Sequence, residues 1–325
     1  MKMPVIQSEY KPPFLFRQTD FSTIYSGKVR KVLGVVQVRQ RLELPDGDFL
    51  DMDWSYSEQK TNRCIIILHG LEGSAQRPYV LGTAKLFNQN GFDVCAMNFR
   101  GCSGEDNRLF SSYHSGKSTD LEEVVQKVIQ LGYTEIVIKG FSMGGNISLL
   151  YAGKHLVPKE VKAIVAVSTP CDLKGASEKL HKKRNWIYAQ RFLVTLKQKA
   201  KIKSIKFPNE LAISEVDLVK TLKDFDDLYT SQSNGFVDAD DYYQKCSSLF
   251  VLHQIKTPTL LLNAQNDSFL SEKCFPNEIA EKMPHFYLEI PKYGGHVAFY
   301  DKKNLYYNET RALQFCMEMI NKNKL

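Results

Sequence analysis

Three features of the chain predict an α/β fold, with a mostly parallel, doubly wound sheet, helices on both faces and a helical cap insertion. From Cys64 onward the order apolar run, glycine-rich loop, helix-forming stretch repeats along the sequence. The runs at 64–68, 92–97, 135–139, 161–167, 259–263 and 286–290 are solidly apolar or alternate with period two, as strands do. One interval, 171–256, breaks the alternation, holds no convincing core strand and is too long for a plain loop in a compact domain.

Taken in order, residues 1–30 are expected to be an N-terminal extension. Residues 31–170 and 257–325 form the core, and 171–256 the mainly helical cap. Runs at 32–38, 40–44 and 49–54 surround Pro45-Asp46-Gly47-Asp48, a turn sequence, and read as an antiparallel edge. Helices are expected at 78–89, 119–131, 146–155, 277–282 and 304–321. Within the insertion, Trp186, Ala189, Leu193, Leu196 and Ala200 follow the three-and-four spacing of an amphipathic helix.

The composition suits a globular chain. Of 325 residues, 43% are hydrophobic and 24% charged, which argues against disorder and fibrous repeats. The start carries Pro4, Pro12 and Pro13 without the apolar stretch of a secretory leader, and no run approaches the roughly 20 apolar residues of a membrane span. Seven scattered cysteines without a C-x-x-C pair point to reduced thiols and a cytoplasmic location rather than a disulfide frame or zinc site. A net charge of +7 is modest for this size and gives no reason to expect nucleic acid.

In sheets of this kind the site lies at the carboxyl ends of the strands. After the run 135–139 come Gly140-Phe141-Ser142-Met143-Gly144 and then a helix-forming stretch from Asn146. A strand, a glycine-bracketed turn and a helix lift a serine off the sheet and place it at a helix N-terminus. There the N–H of Met143 can face a developing anion. A serine nucleophile needs a base, and the base needs an acid to hold its tautomer. Ala264-Gln265-Asn266-Asp267 follows one run and Lys292-Tyr293-Gly294-Gly295-His296 the next, which delivers Asp267 and His296 to the same rim in the order serine, acid, histidine. Asp267 alone reads equally well as a turn residue and His296 as a loop histidine; with Ser142 they make a catalytic triad. Asp172 is the competing acid, and His285 begins a run rather than following one, so it is a poor base. The second oxyanion donor is expected from His69-Gly70-Leu71-Glu72-Gly73-Ser74, at the N–H of Leu71, with His69 bonding the loop. No H-E-x-x-H, P-loop or dinucleotide pattern is present, so no cofactor or metal is expected.

The His69 to Ser74 motif, Asn98-Phe99-Arg100-Gly101-Cys102-Ser103-Gly104-Glu105 with Tyr113-His114-Ser115-Gly116, the segment Gly140-Phe141-Ser142-Met143-Gly144-Gly145-Asn146, and Asp241-Tyr242-Tyr243 resemble the YheT-like branch of the α/β-hydrolase superfamily, also called AB-hydrolase-1 or embryogenesis-associated esterases. The resemblance runs from about residue 30 to the C-terminus. It implies an esterase or lipase-like hydrolase with a small helical cap, acting on small-molecule or lipid esters of short to medium acyl chain. It also implies Ser142, Asp267 and His296 as the triad, and Asp241-Tyr242-Tyr243 as an anchor of the cap to the core. Acyl transfer, cofactor-free lyase or peroxidase chemistry, and a non-catalytic ligand pocket are the alternatives on the same fold. Arg100 either binds a substrate anion or, as the favoured reading, pairs with Asp120 or Glu105. Residues 179–206 hold ten Lys or Arg and no acid, whereas 215–241 is mainly acidic. A basic helix with Trp186, Phe192 and Leu193 offers a weak contact for an anionic membrane surface; a solvated face, or pairing with the acidic half of the cap, is the plainer reading.

Overall fold

The computed structural model describes residues 4–302 and 305–322. Among the described residues, nine strands form one sheet: β1 (Val5–Ile6), β2 (Val38–Glu43), β3 (Phe49–Ser55), β4 (Arg63–Leu68), β5 (Asp93–Asn98), β6 (Glu135–Phe141), β7 (Val161–Val167), β8 (Thr259–Leu262) and β9 (Phe286–Glu289), in the order β1-β9-β8-β7-β6-β4-β5-β3-β2. Only the pairs β2/β3 and β3/β5 are antiparallel. The hairpin between β2 and β3 turns at Gly47, whose φ of 84° only glycine adopts without strain. The central runs are mostly apolar because both faces of the sheet are covered, with Lys139 of β6 buried on Asn308 and Thr83 as an exception.

The helices are α1 (Thr19–Ile24), α2 (Pro78–Asn88), α3 (Ser118–Gln130), α4 (Met143–Lys154), α5 (Leu173–His181), α6 (Trp186–Lys206), α7 (Ile213–Leu218), α8 (Leu222–Phe225), α9 (Ser231–Ser233), α10 (Ala239–Cys246), α11 (Asn277–Lys282) and α12 (Tyr307–Lys322). Two cores follow from strand alternation. Ile65, Ile67, Val94 and Val137 face α2 and α12, while Cys64, Ile66, Leu68 and Ile138 face α3, α4 and α11. From β7 to β8 the described chain is helical and adds no strand; α5 to α10 lie there around a smaller cluster that includes Leu193, Ala200, Leu211, Leu222 and Phe225. No helix among the described residues is long and apolar enough to cross a membrane.

Several local readings are revised. The run 32–38 is not a strand before Val38, because Gly34 takes a φ of 81° and turns the chain. Asn304, where the last helix was expected to begin, lies outside the described residues, and α12 starts at Tyr307. Trp186 is 60% exposed, since the cluster under α6 begins at Ala189. The segment before residue 31 supplies the sheet edge β1, parallel to β9, and a buried ion pair between Arg30 and Glu309 of α12 at 2.6 Å.

Candidate active site

The chain order reverses around β4, which lies between β5 and β6, and the loops leaving the carboxyl ends of the parallel strands meet above that point. Ser142 follows β6 directly and caps α4 with φ 53° and ψ −119°, a strained conformation for a residue with a Cβ. Close packing explains its glycines. A Cβ on Gly140 would overlap the carbonyl of Gly144, one on Gly144 would come within 2.5 Å of the His69 carbonyl, and one on Gly145 would overlap the Thr169 hydroxyl.

The residues expected at the rim meet there. His296 Nε2 is 2.9 Å from Ser142 Oγ, and His296 Nδ1 is 2.8 Å from Asp267 Oδ2. A carboxylate only accepts, so Nδ1 carries the proton and Nε2 is left to accept from the serine. The other oxygen of Asp267 accepts the N–H of Phe269, whose ring lies against the imidazole at 4.3 Å between centroids. The backbone around His296 is held on three sides. Gly295 N–H donates to Asn266 Oδ1, His296 N–H to Thr23 Oγ1 and Val297 N–H to Ser168 Oγ, at 3.0, 3.0 and 2.8 Å. Val297 keeps a φ of 61°, costly for a β-branched residue, and these bonds from three separate elements over-determine it.

Leu71 and Met143 line the same cavity as Ser142 and His296. In the loop after β4, the N–H groups of Gly70, Glu72, Gly73 and Ala75 have acceptors, and that of Leu71 has none among the described residues. Met143 opens α4, where N–H groups lack helical partners. His69 is fully buried and bonds the loop: its Nε2 accepts from Phe99 N–H and its Nδ1 donates to the Gly70 carbonyl at 2.7 Å. Burial pushes its pKa down to about 3, so the ring is neutral.

The rivals lie elsewhere. Asp172 accepts from Ser271 Oγ at 2.8 Å, not from His296. Arg100 is buried against Asp120, Asp46 and Asp48, and Glu105 pairs instead with Arg41. Thr23, Phe269 and Ser168 were missed by the sequence reading. Phe269, two residues after the acid, was the only one of these with a local clue. Among the described residues, no three His, Cys, Asp or Glu are grouped to hold a metal ion.

The helical side of the cavity comes from α5, α6, α8 and α10, with Leu173, Leu180, Phe192, Leu196, Phe225 and Tyr243 among its lining residues. Its volume is about 150 Å³. Tyr242 Oη accepts the Ser115 N–H, and Asn146 of α4 donates to the carbonyls of Ser115 and Cys246 while accepting from Ser248 N–H. Lys203 reaches the carbonyls of Asn107 and Leu109. Lys199 lies 2.9 Å from Glu72, which also accepts from Tyr113 Oη.

Comparison with known proteins agrees with this architecture. Residues 63–303 match the family model for the alpha/beta hydrolase fold. The chain is 33% identical to a putative esterase, YheT, of Escherichia coli over 90% of this chain and 87% of that one. It is 30% identical to Bos taurus phospholipase ABHD3 over 82% of this chain and 67% of that one. An esterase of Pyrococcus furiosus, Pf2001, superposes with a TM-score of 0.59 at 16% identity, over 89% of this chain and 98% of that one, and shares the fold. With the family model matched over residues 63–303 and the YheT protein 33% identical over most of both chains, the chain belongs to the α/β-hydrolase fold family, and within it to the YheT-like branch.

Proposed function

We propose that this chain is a serine hydrolase of carboxylic esters, working through an acyl-enzyme. The observation that carries the reading is the hydrogen-bonded line Ser142, His296, Asp267 opening onto an apolar cavity. His296, held in one tautomer by Asp267, takes the Ser142 proton as Oγ attacks the ester carbonyl. The N–H groups of Leu71 and Met143 stabilise the oxyanion, and no other side chain is needed there. His296 returns the proton to the departing alcohol, then draws one from water, whose hydroxide releases the acid and restores Ser142.

Segment 171–256 acts in this reading as a cap that shapes the acyl site over a core of 31–170 and 257–325. A small-molecule or lipid ester with a short to medium acyl chain suits the cavity volume. The seven buried free thiols fit a reducing compartment such as the cytoplasm. No cofactor enters the scheme.

Intact mass after treatment with a fluorophosphonate tests the nucleophile. One adduct on the wild type and none on Ser142→Ala supports it, and p-nitrophenyl esters of increasing length then measure the acyl site. Folded wild-type protein that takes no adduct and turns over no ester would overturn the proposal.

A further inference from the structure

Ser142 and His296 also open onto a second cavity, of about 530 Å³, that shares Phe192 of α6 with the apolar one. Its walls come from α1 and the turn after it, the start of α2 and the first turns of α6. They bring Lys28, Arg77, Arg184 and Arg191 to one cleft, with Asp20 as the single acid among its described lining residues. Asp20 lies 3.6 Å from Arg184 and accepts from Tyr188 Oη, and Arg77 donates to the Glu72 carbonyl. The side chains of Lys28 and Arg191 have no partner among the described residues and are exposed.

The rest of α6 is different. Lys197 and Lys203 donate to backbone carbonyls, Lys199 pairs with Glu72, Lys201 with Asp217, and Lys206 with Asp106. The cations on the apolar cavity, Lys199 and Lys203, are among these and are already matched. Of the charge around Ser142, the unmatched part therefore lies in the second cleft. An ester has two arms, and one nucleophile here faces two largely apolar cavities, of which the second carries the unpaired cations Lys28 and Arg191 among its lining residues.

We infer that the first cavity holds the acyl chain and the second cleft holds an alcohol part bearing a phosphate or carboxylate, bound by the unpaired Lys28 and Arg191 with Arg184 and Arg77 beside them. This rests on the esterase reading and narrows its substrate to esters with an anionic alcohol. Guanidinium groups match such anions in a two-pronged geometry, and unpaired charge at the mouth of a cleft draws in opposite charge at a rate that salt reduces. The chemistry balances as simple hydrolysis. The acyl–oxygen bond breaks, the alcohol takes the proton from His296 and leaves with its anionic group unchanged, and water supplies the acid's hydroxyl.

Butyrate esters of 6-hydroxyhexyl phosphate and of 1,6-hexanediol share acyl group and leaving oxygen and differ in a remote charge. The wild type should show kcat/KM roughly tenfold higher for the phosphate ester at low salt, with the advantage shrinking at high salt. In Arg184→Glu/Arg191→Glu the ratio of phosphate to neutral ester should fall to about one or below. Lys28→Glu, a single change at an exposed residue, should lower it about threefold and guards against a folding defect in the double variant. Both esters turned over at equal rates, with no change of ratio in either variant, would overturn the subsite and leave the esterase standing. Neither ester turned over, with no fluorophosphonate adduct, would instead overturn the esterase reading. Long-chain phosphatidic acid in otherwise neutral vesicles separates a lipid headgroup from a soluble ester. Activity on either that falls in Lys28→Glu supports the subsite, and activity that the charge reversals leave intact overturns it.

Discussion

The two walls around Ser142 are held by different means. On the sheet side, backbone groups are fixed to one another and to short polar side chains: three successive N–H groups around His296 bond to three separate elements. On the helical side, short ties such as Asn146 on the Cys246 carbonyl and Asn185 on the Ser268 carbonyl are joined by the ends of long side chains, Lys199 on Glu72, Lys203 on two carbonyls and Tyr242 on the Ser115 N–H. A short side chain on backbone puts few rotatable bonds between the two segments it joins, whereas a lysine puts four. In the proposed reaction the sheet side would hold the reacting atoms and the helical side would take the acyl chain.

Substitutions can break this contrast. The largest effect is expected from Asp267→Asn, which lets the imidazole take the wrong tautomer. Turnover should drop by about 10⁴-fold for every ester, with melting nearly unchanged. A loss confined to long acyl chains would show that the two walls do not divide the work. Next comes Thr23→Val, which strands the His296 N–H without an acceptor. Leaving such a donor unpaired costs about 1–3 kcal/mol, so kcat should fall roughly tenfold to a hundredfold with KM little affected. Steady-state kinetics that show only a raised KM would place Thr23 in substrate binding instead. Tyr242→Phe acts on the other wall by removing the acceptor of the Ser115 N–H. It should lower the melting temperature by a few degrees and flatten the chain-length preference, since the tether is loosened while the triad keeps its bonds. A uniform loss across all chain lengths would mean that the tether also positions the chemistry.

The same contrast explains what could be read from the sequence. Ser142, Asp267 and His296 each sit in a short motif directly after an apolar run, and the physics that fixes them, a tight turn at a strand end, is local. Their partner Thr23 lies 273 residues from His296 and carries no motif. The two-residue strand β1 is equally silent, because its register is set by β9 and not by its own pattern. In the helical segment, the spacing of Ala189, Leu193 and Ala200 was enough to find α6 and its buried face. It could not tell which lysines would be matched. Lys203 finds two carbonyls of a distant loop while Arg191, twelve positions earlier on the same helix, faces an open cleft.

The smallest effect concerns a carboxyl group on the helical wall. Asp226 lines the apolar cavity and accepts from Tyr243 Oη at 2.7 Å. Burial pushes its pKa up to about 6, against the hydrogen bond from Tyr243. In the unfolded chain the group ionises near its ordinary value, about 4. Below that pH both states are protonated and the group is neutral towards folding. Between about 4 and 6 the unfolded state loses its proton first, so stability falls as pH rises; above about 6 the loss is complete and constant. An asparagine cannot ionise and still offers an oxygen to Tyr243. Asp226→Asn should therefore melt above the wild type at neutral pH, by an amount on the order of 1–2 kcal/mol after solvent screening of a half-buried group, with the gap closing near pH 4. Thermal melts of both proteins across that range decide it. A gap that does not change with pH would mean that Asp226 is charged at no cost, and that the helical wall tolerates an anion beside the acyl site.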